Sequence, residues 1–146
     1  MFRPKRILVP VDLSPASERT VRTAAETVRE TRGRLLLLHV FDSRAVEDVY
    51  NLHGLREEEV RARMRANAEA SLGRLVRRPW LRGLRVEVRY AHGLPPDEIV
   101  REAGEWKADL VILARGHRAG LSHLLYGRTS DAVAREASCS VLILEP

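Results

Sequence analysis

The sequence predicts an α/β fold: a five-stranded parallel sheet, doubly wound, with helices on both faces. Three observations predict it. Apolar runs alternate along the chain with segments whose apolar residues recur at helical spacing. The connections between them are short, as in a parallel sheet built from strand–helix–strand units. Two runs, Leu35 to Leu38 and Leu110 to Leu113, are apolar without alternation, which suits strands buried on both faces. With 146 residues, no internal repeat and no low-complexity linker, one domain spanning 1–146 is expected.

The first strand is expected from Arg6 to Asp12, with Ile7, Leu8, Val9 and Val11 in the core. Pro10 lacks a ladder donor, which is tolerated best near a strand's end. Ser14 then supplies an N-cap and Pro15 the first helical position. Val21, Ala24, Ala25 and Val28 repeat at helical spacing, and Gly33 is read as the helix stop. Arg34 to Phe41 is the second strand. His39 within it is read as a satisfied core or half-buried histidine, because no second metal ligand lies nearby in sequence. Ser43 to Arg56 mixes Val46, Val49, Tyr50 and Leu52 with charges, and fits either a frayed helix or a loop.

Glu57, Glu58 and Glu59 open a long helix, with Val60, Met64, Ala68, Leu72 and Val76 on one stripe. Arg77 and Arg78 close it. Acid at the start and base at the end both complement the helix dipole, and Pro79 stops the helix. Leu84 to Ala91 alternates apolar and polar residues, which places it at a sheet edge with one wet face. Gly93, Pro95 and Pro96 are read as a turn, and Asp97 and Glu98 as the start of a helix reaching Trp106. Asp109 to Ala114 is the next strand, Ala132 to Ala137 a short helix, and Ser140 to Glu145 the last strand.

The stretch from Asp109 to Ser130 carries the chemistry. After the apolar run come Gly116, Gly120 and Gly127, interleaved with Arg115, Arg118 and Arg128. Thr129, Ser130 and Asp131 offer N-cap chemistry for the helix that follows. Strand, glycine-bearing basic loop, helix N-terminus is an arrangement that holds phosphate, because loop amides and the helix dipole both favour an anion. A surface loop that merely carries arginines fits the same spacing.

Bulk composition limits the alternatives. Net charge is +5, yet many arginines have carboxylates at helical spacing, so a solvated surface accounts for most of them. Aromatic residues are only 5%, so base-stacking platforms are scarce and nucleic-acid binding is not expected. No apolar run approaches the roughly 20 residues that span a bilayer, so no membrane role is expected. The basic-then-apolar start runs into Asp12 too soon for a signal peptide. Cys139 is the lone cysteine. It fits a reducing cytosol and reads as a small core residue rather than a nucleophile.

Taken together, the segments I-L-V-P-V-D-L-S, L-L-L-L-H-V, G-L-P-P-D-E-I-V, A-D-L-V-I-L, R-A-G-L-S-H-L-L-Y-G and C-S-V-L-I-L resemble the universal stress protein family. They occur in the family's order and cover nearly the whole chain. The resemblance implies an adenine-nucleotide alpha-hydrolase-like sheet in strand order 3-2-1-4-5, a cytoplasmic location and a homodimer. With that strand order, the crevice for a ligand opens between the carboxyl ends of the first and fourth strands. It also implies that Asp12 and Val40 sit by adenine and its sugar, where helix capping and core packing are the competing roles. The family's nucleotide motif is G-x-x-G, nine residues, then G followed by Ser or Thr. Here Ala114 stands at the first glycine, His117 at the second and Arg128 at the hydroxyl residue, and only Gly127 matches.

Two functions therefore stand side by side. One is a stress protein that binds ATP or another adenine nucleotide, with Asp12, Val40, Ala114, Arg115, His117, Gly127, Arg128, Thr129 and Ser130 at the ligand. The other is a dimeric stress module of the same fold that binds no ATP and acts through partner contacts. An enzyme, at most a weak ATP hydrolase, has little support, because no carboxylate pair, metal cluster or nucleophile–base set is present. The dimer is expected to form through the last strand, Val141 to Leu144, whose apolar edge would otherwise stand open.

Overall fold

A computed structural model describes residues 1–115 and the backbone of 123–145, with side chains in that second stretch from Thr129 onward. The strands are β1 (Arg6–Pro10), β2 (Arg34–Asp42), β3 (Arg85–Gly93), β4 (Leu110–Ala114) and β5 (Ser140–Leu144). The helices are α1 (Pro15–Thr31), α2 (Ser43–His53), α3 (Glu57–Val76), α4 (Pro95–Glu105) and α5 (His123–Glu136). A 3-10 turn, Pro79–Leu81, follows α3.

All five strands run parallel, in the order β3-β2-β1-β4-β5. This is the predicted sheet. Side chains alternate between its faces, and each face has its own core. Ile7, Val9, Leu35, Leu37 and Ile112 pack with Val21, Ala24, Ala25 and Val28 of α1 and with Leu72 and Leu75 of α3. Leu8, Leu36, Leu38, Val111 and Leu113 pack with Ile99, Ala103 and Trp106 from the α4 region and Val133 of α5. The three central strands are buried on both sides, so their uninterrupted apolar runs are a direct consequence of position.

Several boundaries differ from the sequence expectation. β1 ends at Pro10, not Asp12. Pro10 is therefore the last residue of a central strand, and the amide of Val11 continues the ladder by donating to the Leu38 carbonyl at 2.8 Å. Gly33 is not the left-handed cap of α1. Arg32 takes that conformation, at φ 57°. Gly33 has a different reason to be glycine: a Cβ there would stand 2.4 Å from the Lys5 carbonyl oxygen. The chain needs that close approach to start β2 beside β1, where the Arg34 amide donates to the same carbonyl at 2.7 Å.

The ambiguous segment after β2 is helical. The Asp42 carboxylate caps α2 at the Arg44 amide, and Gly54 ends the helix at φ 61°. Among α2 residues only Val46 is buried, which is why its periodicity was weak. On α3 the buried stripe is Val60, Ala68, Leu72 and Leu75, while Met64 and Val76 are only partly covered. Pro95 and Pro96 lie inside the first turn of α4 rather than in a turn before it, since proline lacks only a donor that the first turn leaves free. β3 is an edge strand, as its alternation predicts.

The largest correction concerns α5. It begins at His123, so Thr129, Ser130 and Asp131 lie within the helix and do not cap it. The apolar residues Leu124, Leu125, Ala132 and Val133 fall at helical spacing across Gly127. A single interior glycine costs a helix about 1 kcal/mol, too little to start a new one.

Candidate functional site

β1 and β4 are neighbours in the sheet, yet their onward connections diverge. From β1 the chain crosses to β2 through α1; from β4 it crosses to β5 through α5. Divergence at the carboxyl ends of two adjacent parallel strands leaves a crevice between the loops. Here it is a cavity of about 540 Å³, a size suited to a small-molecule ligand.

Its floor and walls come from strand ends and helix starts. Val11, Leu13, Leu38, Val40, Ile99 and Leu113 make it largely apolar. Asp12, Ser14, His39, Asp42, Arg115, Thr129 and Ser130 bring polar groups to it. The β1–α1 loop is tightly organised. Asp12 Oδ1 accepts from the Ser14 amide at 2.9 Å and from the Ser14 hydroxyl at 2.5 Å. The Ser14 hydroxyl oxygen in turn accepts from the Ser17 amide at 3.2 Å, capping α1. Leu13 between them is held at φ 68°, a left-handed conformation that is strained for leucine.

His39 faces this loop from β2. Its Nδ1 lies 2.7 Å from the Val11 carbonyl oxygen. A carbonyl only accepts, so Nδ1 carries the proton and Nε2 is left as the acceptor in the neutral ring. Burial lowers the His39 pKa below its ordinary value, against the opposing pulls of the Val11 carbonyl and the Asp12 charge. The Phe41 ring packs edge-on against it at 4.8 Å. Asp42 is committed elsewhere: it caps α2 and pairs with Arg44 at 2.8 Å, which raises the Arg44 pKa.

The expected site residues can now be placed. Asp12, Val40, Ala114, Arg115, Thr129 and Ser130 all line the one cavity. Gly127 and Arg128 fall on the backbone of α5, just before Thr129. His117, with Gly116, Arg118 and Gly120, lies outside the described residues. Ala114 is the last residue of β4 and pairs with Leu144, and it is not among the positive-φ residues. Glycine's conformational freedom is therefore not needed at that position. What alanine adds there is a methyl group at the crevice wall. Thr129 and Ser130 are buried, at 9% and 1% exposure, so each presents a polar group from a helix side rather than from a helix end.

Sequence reasoning missed Leu13, Ser14, His39, Asp42, Pro95 and Ile99 as wall residues. His39 and Ile99 read equally well as core, and Ser14 and Asp42 as caps, so composition and spacing carried no further signal. Arg115 is exposed and its Nε lies 3.4 Å from the Glu145 carboxylate. Cys139 is half-buried, and burial together with the Asp109 charge pushes its thiol pKa up, away from a reactive thiolate. Among the described residues no group of three or more His, Cys, Asp or Glu side chains is placed to hold a metal ion. No helix among them is long and apolar enough to cross a membrane.

Comparison with known proteins places these features in a family. The model of the "Universal stress protein family" matches residues 4–145. Universal stress protein MJ0531 of Methanocaldococcus jannaschii is 24% identical over 145 residues, covering 97% of this chain and 82% of the relative. Universal stress protein YxiE of Bacillus subtilis is 26% identical over 145 residues, covering 95% and 97%. Among solved structures, protein MJ0577 superposes with a TM-score of 0.81 at 23% identity, covering 99% of this chain and 98% of the other. The Archaeoglobus fulgidus universal stress protein in complex with dAMP gives 0.66 at 22% identity, covering 97% and 98%. A universal stress protein in complex with cAMP gives 0.62 at 23% identity, covering 98% of each.

Proposed function

The chain belongs to the universal stress protein family, and from that premise we propose that it is a stress-response protein that binds an adenine nucleotide in the β1–β4 crevice. The observation that carries this reading is the cavity itself, at the switch point of the sheet, with an apolar slot beside a carboxylate. The complexes of relatives with dAMP and cAMP support the choice of adenine nucleotide as ligand class.

The polar groups argue for an orientation. With the Asp42 carboxylate paired to Arg44, the negative charge at this part of the cavity is that of Asp12. Phosphate is repelled there, whereas ribose hydroxyls donate well to a carboxylate. Val11, Val40 and Leu113 offer the flat apolar surface that a purine needs. The phosphates then run toward Thr129, Ser130 and the stretch that carries Gly127 and Arg128. The arginine at 128 replaces the family's hydroxyl residue and would supply a guanidinium fork to phosphate. ATP and shorter adenine nucleotides fit this reading equally.

The second reading, a dimeric module without ATP, draws on Ala114 and His117 at the two glycine positions. In either reading the protein forms a homodimer along Val141 to Leu144, because β5 is an edge strand and Leu142 is 42% exposed. Native mass spectrometry of the purified protein, followed by calorimetric titration with ATP, AMP and GTP, tests the ligand. The expected result is one adenine nucleotide per chain with GTP binding at least tenfold weaker. Absence of any co-purifying nucleotide together with no heat on titration would overturn it.

A further inference from the structure

A second cavity lies behind the first, across the β1–α1 loop. It has a volume of about 400 Å³ and sits between the start of α1 and the end of α3. Val11, Leu13, Ser14 and Ser17 form a wall common to both cavities. The opposite wall is unlike anything in the crevice. It carries Arg74, Arg77 and Arg78, with the hydroxyl of Ser71 beside them. Among the described residues of the lining Glu18 is the only carboxylate, set against three guanidinium groups.

The arginines are unequally engaged. Arg78 pairs with Glu18, Nε to Oε1 at 2.9 Å and Nη2 to Oε2 at 3.3 Å. Arg74 Nη2 donates only to the Ser71 hydroxyl, at 3.1 Å. Arg77 folds back along α3, its guanidinium nitrogens 3.9 Å from where a Cβ on Gly73 would stand. Neither Arg74 nor Arg77 has a carboxylate partner among the described residues. Their neighbourhood to the carboxyl end of α3 complements its dipole, but that role needs no cavity. The two amides of the first turn of α1 that belong to lining residues are used already: Ser17 by the Ser14 hydroxyl and Glu18 by the Ser14 carbonyl. The Ser14 hydroxyl proton is spent on Asp12 and that of Ser17 on the Ser14 carbonyl, so recognition falls to two guanidinium forks without a carboxylate partner and the Ser71 hydroxyl.

We propose that this basic cavity binds a phosphate-class anion, inorganic phosphate or the phosphoryl end of a small metabolite, at a site separate from the nucleotide crevice. Guanidinium forks match phosphate oxygens in pairs, and the Ser71 hydroxyl, which accepts from Arg74, keeps its proton to donate to an oxygen that remains. The pocket is half open to solvent, and its volume suits a small anion. Glu18 is the internal competitor: it occupies Arg78 while the site is empty and yields it to the stronger anion. The inference stands on different residues from the nucleotide reading and holds whether or not an adenine nucleotide binds.

Amide NMR titration of the full chain with inorganic phosphate, at ionic strength held constant with sodium chloride, tests it. Saturable shifts are expected at Ser17, Glu18 and Ser71 to Arg78. The double variant Arg74→Gln, Arg77→Gln should bind phosphate at least tenfold more weakly. The variant Glu18→Gln, which frees Arg78 and carries little folding risk, should bind severalfold more tightly. AMP affinity of the double variant should be unchanged from wild type. Shifts that chloride alone reproduces, shifts confined to Ala114 and Ser130, or equal phosphate binding by all three proteins would each overturn the proposal. So would a parallel loss of AMP and phosphate binding in the double variant, which would make the two cavities one site.

Discussion

Replacing Asp12 by asparagine separates the ligand role of this residue from its capping role. In the structure one carboxylate oxygen, Oδ1, does all the local work, accepting from the amide and the hydroxyl of Ser14. Asparagine keeps a carbonyl oxygen at that position, so the loop and the Ser14 cap on α1 are preserved. Asp12 is exposed, and surface changes of this kind alter stability by about 0.5 kcal/mol or less. The second oxygen and the negative charge are what a ribose hydroxyl would use. A hydrogen bond to a charged group contributes roughly 1.5–3 kcal/mol, which corresponds to a roughly ten- to hundredfold loss of nucleotide affinity. Urea denaturation and calorimetric titration of the same preparation read the two effects independently. The expected outcome is unchanged stability with affinity lowered at least tenfold. If affinity holds while stability falls by more than about 1 kcal/mol, Asp12 is a capping residue and nothing more.

Three further predictions use other parts of the structure. His39 has its pKa lowered in the folded state, so the unfolded chain binds the proton more readily; stability is full above the ordinary value of 6.5 and declines as pH falls from there through the folded value. Denaturation at pH 5 to 8 should reveal this slope, and His39→Gln should flatten it. Gly33→Ala forces a Cβ against the Lys5 carbonyl and should destabilise by about 1–3 kcal/mol, measured by thermal melting; an unchanged Tm would mean the close approach is easily relieved. Leu142→Glu places a charge on the exposed edge strand and should convert the proposed dimer to monomer by sedimentation velocity, with no loss of folded signal.

The sheet was legible because its constraint is simple. Strand segments buried on both faces must be apolar, and Ile7 to Val9, Leu35 to Leu38 and Leu110 to Leu113 are. The edge strand β3 alternates for the same reason in reverse. Legibility failed where one residue type serves two physical purposes. Gly33 reads as a helix stop, yet it is needed for contact with a neighbouring backbone, and Arg32 bears the left-handed turn. Thr129, Ser130 and Asp131 look like caps, but they sit inside a helix whose start lies six residues earlier. Helix and loop stay open for the α2 stretch in the sequence because it buries only Val46, and a single buried side chain leaves no period to read. At the crevice, Asp12, Val40, Ala114, Arg115, Thr129 and Ser130 line one cavity. His39 was read correctly as half-buried, but nothing in its sequence context placed it at the crevice wall, because that depends on how β2 and the β1–α1 loop meet in space.

The central claim is that an adenine nucleotide occupies the crevice between β1 and β4. A crystal structure of the protein grown with AMP tests it most directly. The account predicts purine density against Val11, Val40 and Leu113, a ribose hydroxyl within hydrogen-bond distance of Asp12 Oδ2, and phosphate directed toward Thr129, Ser130 and the stretch that carries Gly127 and Arg128. Nucleotide density at another place on the protein, with this crevice holding only water, would contradict it.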